Sequence, residues 1–270
     1  MILNDTFDLM LTKYGRYIDG VSIEKVHIGI FLTAVKLSNG YAGVAGSDLD
    51  STINCCHKQK REFGDFTPGK IRGQKIVDLF NHPVNSILLD RVKLAVLNAV
   101  SSEIIAQSEY QIIEDKDPFE LLDLSGQKTI SVVGAFQTYI KKISKSDHKL
   151  YVLELNEFAL DDDQKQYYVP AEKASNILPL SDIIIITGLT LLNNTLDDLL
   201  KYIPANKQVI VVGPTAGLIP DILFKHHITI IGSTKITDPD RMFSVVSEGG
   251  AGFHLFQYGA KKICLLNNSQ

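Results

Sequence analysis

The chain is poor in the features that usually announce a function. Its three cysteines, Cys55, Cys56 and Cys264, are too few and too unevenly placed among 270 residues for a disulfide framework. Long hydrophobic runs are missing: the most apolar stretch, Ile183–Ile186 with its neighbours, is far too short to span a bilayer. The opening MILNDTFDLM has no basic region followed by an apolar run, so it predicts no signal peptide. A cytoplasmic protein without membrane insertion is expected. Basic residues are not clustered with aromatics, and a net charge of −4 gives no reason to expect nucleic acid as a partner. No hydrolase elbow, Walker lysine motif, H-E-x-x-H or paired-carboxylate signature occurs. An enzyme of a familiar class is not written here.

What is present divides into two halves. With 45% hydrophobic and 21% charged residues, the chain can bury one large or two modest cores. In the first half, Asn4-Asp5-Thr6 is placed to cap a helix whose apolar positions Phe7, Met10, Leu11, Tyr14, Tyr17 and Ile18 recur at three- and four-residue spacing. VHIGIFLTAVKL and YAGVAGS then flank Ser38-Asn39-Gly40, where Asn-Gly predicts a hairpin closed by a type I′ turn. Residues 50–70 read as a loop, and helical segments follow near 72–80 and 86–106. The second half alternates short continuous β-branched runs (TISVV, KLYVLEL, DIIIIT, QVIVV, ITII, KICLL) with helical patterns. That rhythm predicts a parallel sheet covered on both faces. The expected fold is α/β: an α+β domain over 1–110, then a Rossmann-like, doubly wound parallel sheet over 111–270.

In such sheets ligands bind beyond the carboxyl ends of the strands, where strand order reverses. The runs are followed by Gly134-Ala135-Phe136, Glu154, Thr187-Gly188-Leu189-Thr190, Gly213-Pro214-Thr215 and Gly232-Ser233-Thr234. Small residues let a ligand approach the backbone, and hydroxyls supply donors. Each glycine alone is equally a corner demanded by backbone geometry. Only one glycine of a G-x-G-x-x-G fingerprint is present, at Gly134. Glu154 follows about twenty residues later, where a ribose-binding carboxylate stands in dinucleotide folds, or is simply a solvated strand end. Glu248-Gly249-Gly250 reads as a helix cap that could also bring backbone to the cleft. Cys55-Cys56-His57 has metal-binding chemistry without the C-x2-C spacing that grips one zinc ion, and is a weak metal candidate. Asp161-Asp162-Asp163 reads as a solvated loop.

The order of HIGIFLTAVKLSNGYAGVAGS, VKLAVLNAV, SVVGAFQTYI, VVGPTAGLIPDILF, IGSTKITDPDRMFSVVSEGG and KKICLL resembles a two-domain heavy-metal chelation family over roughly residues 5–267. The resemblance implies an enolase N-terminal-like domain before a Rossmann-like one, and a site between them. Carried over by motif, that site takes Gly134 and Phe136, Gly213, Pro214 and Thr215, with Glu248, Gly249 and Gly250 close by. The first domain would add Thr33 and Asn98; the latter is polar on an apolar helix and must either tie the helix to a loop or face the cleft. The chain departs from the family's pattern in having no tryptophan, and Cys55-Cys56-His57 matches none of its motifs. The function expected is binding of a small anionic or metal-chelating ligand in an interdomain cleft lined also by Glu154, Gly188 and Thr190, with a heavy-metal ion or its chelate as ligand. The alternatives are an enzyme using a nucleotide-type cofactor, a methyl donor or a dinucleotide, and a non-catalytic module that senses ligand by domain closure. Assembly into a homo-oligomer stays open.

Overall fold

The computed structural model describes residues 1–47, 62–84 and 86–267. Helix α1 (Ile2–Tyr14) begins earlier than its local polar residues suggest. Its first amide is not met by Asn4, Asp5 or Thr6: Ile2 N donates to the carboxylate of Asp197, at 3.1 and 3.4 Å, from the other half of the chain. Thr6 turns inward instead and donates to Ile2 O. The long run VHIGIFLTAVKL is two strands, β1 (Ile23–Ile28) and β2 (Leu32–Leu37), which with β3 (Ala42–Gly46) form an antiparallel β1-β2-β3 meander. The Asn-Gly turn does join β2 to β3. It is not type I′, because Gly40 alone has positive φ (91°) and its N–H closes onto Leu37 O.

After α2 (Ile76–Phe80), the helix α3 (Ile87–Ala106) lies across β2 and β3. The close approach rests on Gly43. A Cβ there would meet the Ala99 amide and stand 2.5 Å from Ala95 O, backbone atoms that cannot step aside.

From β4 (Ile112–Glu114) onward the chain builds one larger sheet. Its further elements are β5 (Thr129–Val133), α4 (Gln137–Ile143), β6 (Lys149–Glu154), β7 (Tyr168–Pro170), α5 (Ala174–Ile177), β8 (Ile183–Thr187), α6 (Leu189–Leu192), α7 (Leu196–Leu200), β9 (Gln208–Val212), α8 (Asp221–Lys225), β10 (Ile230–Ile236), α9 (Pro239–Ser247), α10 (Gly252–Tyr258) and β11 (Ala260–Leu266). The order is β4-β11-β10-β9-β8-β5-β6-β7, with β5 to β10 parallel and β11 antiparallel to both neighbours. Successive residues of β8 explain the continuous apolar runs. Ile184 and Ile186 join the core shared with the first half, while Ile183 and Ile185 join the core on the opposite face. The expected α/β class with a small antiparallel unit and a mostly parallel, doubly wound sheet is what forms. Among the described residues no helix is long and apolar enough to cross a membrane.

Gly232-Ser233-Thr234 does not end a strand. It lies inside β10, where a Cβ on Gly232 would stand 2.5 Å from Pro118 Cγ. Pro118 itself follows Asp117, which fastens this corner. Burial pushes the Asp117 carboxyl up. Hydrogen bonds from Lys262 Nζ (2.8 Å), Tyr139 Oη (2.7 Å) and Phe119 N (3.1 Å) outweigh that and hold it below the usual carboxylate range.

Two outcomes are expected. Gly43→Ala should cost about 1–3 kcal/mol in guanidinium denaturation through overpacking of β3 against α3; a change under about 0.5 kcal/mol would contradict the close approach. Because the Asp117 carboxyl is depressed on folding, its contribution is complete above about pH 4, the unfolded value, and fades as pH falls through the folded one. The stability gap between the wild type and Asp117→Asn should therefore be flat near neutrality and shrink in acid.

Candidate functional site

The strand order reverses between β5 and β8, and a cavity of about 820 Å³ opens at their carboxyl ends. Gly134 forms its floor at φ 102°, with its N–H on Leu153 O at 2.9 Å; a Cβ there would press on Thr187 Cγ2 at 3.0 Å. Glycine is thus needed for the corner, and it leaves the backbone open to the cavity. The turn continues tightly: Phe136 N donates to Gly134 O and Gln137 N to Ala135 O before the seven-residue α4 starts. Phe136 stands 5.3 Å from the Tyr139 ring, which keeps its own ring beside the cavity. At the end of β6, Glu154 Oε1 accepts from the N–H groups of Leu155 (2.8 Å) and Asn156 (3.2 Å), so the carboxylate is pinned to its own strand end. Thr190 is buried and donates to Thr187 O at 2.7 Å.

Leu153, Leu155, Leu189, Leu199 and Tyr202 supply apolar walls, with the polar Thr187, Asn193 and Thr195 among them. Its charged members are Glu154, Glu172 and Asp198, and it contains no Lys or Arg. Asp198 is paired with Lys201 Nζ at 2.7 Å, which leaves Glu154 and Glu172 to attract cations and disfavour anions.

The residues expected in a single interdomain cleft fall into three places. Gly134, Phe136, Glu154 and Thr190 line the cavity, whose walls all come from residues 133–202. Thr33, Asn98, Gly213, Pro214 and Thr215 belong to the packed seam between the two sheets or its edge. Asn98 Nδ2 donates to Val44 O (2.7 Å), Thr215 O (3.1 Å) and Pro214 O (3.3 Å), and Gly46 N donates to Thr215 Oγ1 at 2.9 Å. Thr33 Oγ1 is hydrogen-bonded to Ser47 Oγ at 3.0 Å. Gly188 joins the two regions: its N–H donates to Val212 O, and a Cβ would be 3.0 Å from Ala216 N. Glu248, Gly249 and Gly250 form the end of α9, with Gly250 N on Val245 O (2.7 Å) and Gly249 N on Val246 O (3.2 Å). Thr33, Asn98 and Thr215 are buried at the seam, whereas Gly213 and Pro214 are half-buried at its edge. A hollow of about 420 Å³ does separate the units elsewhere, between the Asn39–Ala42 turn, the end of α3 and β10, and none of the expected residues lines it.

Thr187, Glu172, Asn193, Thr195, Asp198 and Tyr202 complete the cavity and were not singled out as site residues. Thr187 was visible as a strand end. Glu172 and Asp198 follow no spacing rule, because the crossovers after β7 and β8 bring them in. As for metal, no group of three or more His, Cys, Asp or Glu able to hold an ion exists among the described residues. Cys264 is buried, and that burial, with Asp117 nearby, pushes its thiol up to about 11, away from the thiolate a metal needs. Cys55, Cys56 and His57 lie outside the described residues.

The fold and cavity define a class: a doubly wound α/β protein with a ligand-sized cavity at its switch point and a small antiparallel unit packed against the sheet. The family follows from the sequence itself. The chain belongs to the family described as "putative heavy-metal chelation": a model with that description matches residues 117–265, and a second with the same description matches 11–101. A protein of unknown function of this family from Pyrococcus horikoshii superposes with a TM-score of 0.75 at 20% identity, over 97% of this chain and 99% of that one. Another from Desulfitobacterium hafniense gives 0.68 at 19%, over 95% and 99%. These likenesses are of fold. An uncharacterised protein of Methanocaldococcus jannaschii is 34% identical over 153 residues, which are 54% of this chain and 56% of that protein, so the match spans about half its length.

Asn98→Ala is expected to destabilise the protein by about 2–3 kcal/mol in chemical denaturation, since it strands three carbonyls at a buried seam. A loss near zero would mean that water takes over those bonds.

Proposed function

We propose that the protein binds a metal-chelating small molecule, or the chelate it forms with a heavy metal, in the switch-point cavity. The observation that carries this reading is the lining itself: leucine and tyrosine walls, the carboxylates of Glu154 and Glu172 and an Asp198 already paired with Lys201, at about 820 Å³. That volume suits a drug-sized organic molecule. The family description supplies the metal. With no three-ligand group among the described residues, a metal there would draw its coordination sphere from the chelator, and the protein would bind the complex through shape and charge. Most complexes of divalent metals with neutral nitrogen donors are cationic, which suits the carboxylates. Closure of one unit over the other is opposed by Asn98, whose bonds tie the seam.

Calorimetry tests this with zinc, nickel and copper(II) ions alone, as cationic bipyridine complexes and as anionic EDTA complexes. The cationic complexes should bind, the EDTA complexes should not, and Ala171→Trp, which fills the half-buried rim, should weaken binding more than tenfold. Failure of every complex to bind, or binding indifferent to Ala171→Trp, would defeat the reading. A second reading, a nucleotide-type cofactor, is favoured by one observation: Glu154 lines the cavity at the end of the strand beside Gly134.

A further inference from the structure

The proposal that the switch-point cavity is the ligand site leaves the organic part of the ligand unnamed, and the backbone around Gly134 narrows it. Dinucleotide folds bind pyrophosphate on free N–H groups of a glycine-rich turn and the helix that follows. Here three of those donors are already engaged: Gly134 N with Leu153 O (2.9 Å), Phe136 N with Gly134 O (2.9 Å) and Gln137 N with Ala135 O (3.0 Å). Glu154 and Glu172 make the cavity still less hospitable to a phosphate. The ribose position, in contrast, is furnished. Glu154 ends the strand next to β5, and the backbone N–H groups of Leu155 and Asn156 hold its Oε1. Its Oε2 has no hydrogen-bond partner among the described residues and is free to accept from a pair of vicinal hydroxyls. Leu155, 70% exposed, follows directly, and Ala171 lies at the same rim; together they offer an apolar surface to a planar base beside the sugar.

We infer that the cavity takes a nucleoside without phosphate, bearing a positive charge, with its ribose hydroxyls on Glu154 and its base against Leu155. This rests on the reading of the cavity as the ligand site. The two halves of a dinucleotide's appeal are separated here: the carboxylate that reads the sugar is present, and the turn's amides at Gly134, Phe136 and Gln137 are engaged.

The full chain is titrated calorimetrically with adenosine, 2′,3′-dideoxyadenosine, S-adenosylmethionine, ATP and NAD+. Adenosine and the cationic S-adenosylmethionine should bind, the latter more tightly, and ATP and NAD+ at least tenfold more weakly than adenosine. Dideoxyadenosine should bind at least tenfold more weakly than adenosine to the wild type. Glu154→Gln should weaken adenosine binding tenfold while leaving dideoxyadenosine unchanged, a difference that a merely structural role for Glu154 would not produce. ATP or NAD+ binding as tightly as adenosine, or dideoxyadenosine matching adenosine, overturns the inference. If no nucleoside binds while the bipyridine complexes bind and respond to Ala171→Trp, the nucleoside inference falls and the chelate reading stands. If nucleosides bind in the expected order and the complexes do not, the reverse holds.

Discussion

The carboxamide of Asn98 holds together pieces that would otherwise have no reason to meet. It projects from α3, the helix that covers the small antiparallel sheet, and donates to a carbonyl of β3 and two carbonyls of the turn after β9. Beside it, the close packing of β3 on α3 at Gly43 brings Gly46 to the Thr215 hydroxyl. A core that includes Ala95, Val96 and Ala99 from one side and Ile184, Ile186 and Val211 from the other is continuous across this junction. The two units therefore share an interior, and Thr215 of the turn after β9 is buried in it. The cavity is left to the one place in the sheet where neighbouring crossovers diverge.

That division explains what could be read from residues alone. The strands of the parallel sheet were legible because burial on both faces demands continuous β-branched runs, as Ile183–Ile186 illustrates. β4 and β7, three residues each, carry no such pattern and exist only because a sheet edge accepts them. The glycine in IIGST reads as a corner by the same rule that identified Gly134. It serves instead to admit Pro118, a contact invisible in sequence. Gly134 and Glu154 were legible because the strand–turn–helix geometry fixes their spacing. Glu172, Asp198 and Tyr202 were not, since tertiary wrapping alone brings them to the cavity. Asn98 was recognisable as a polar residue in an apolar setting; which of its two roles it fills depends on which carbonyls come within reach.

The acidic character of the cavity also changes the meaning of the missing fingerprint glycines. The amides of Phe136 and Gln137 bond back onto the carbonyls of Gly134 and Ala135, a closure that a single glycine is enough to form. The incomplete motif and the cation-free lining point the same way.

The cap on α1 bears on how the chain is made. The helix begins at residue 2, yet the carboxylate that receives its first amide is Asp197, 195 positions later. Residues leave the ribosome at about 5–20 per second, so the first helix emerges many seconds before its cap does. Through that interval its first amide is without the Asp197 carboxylate. The opening segment is thus fastened late, only once β8 and α7 have been synthesised.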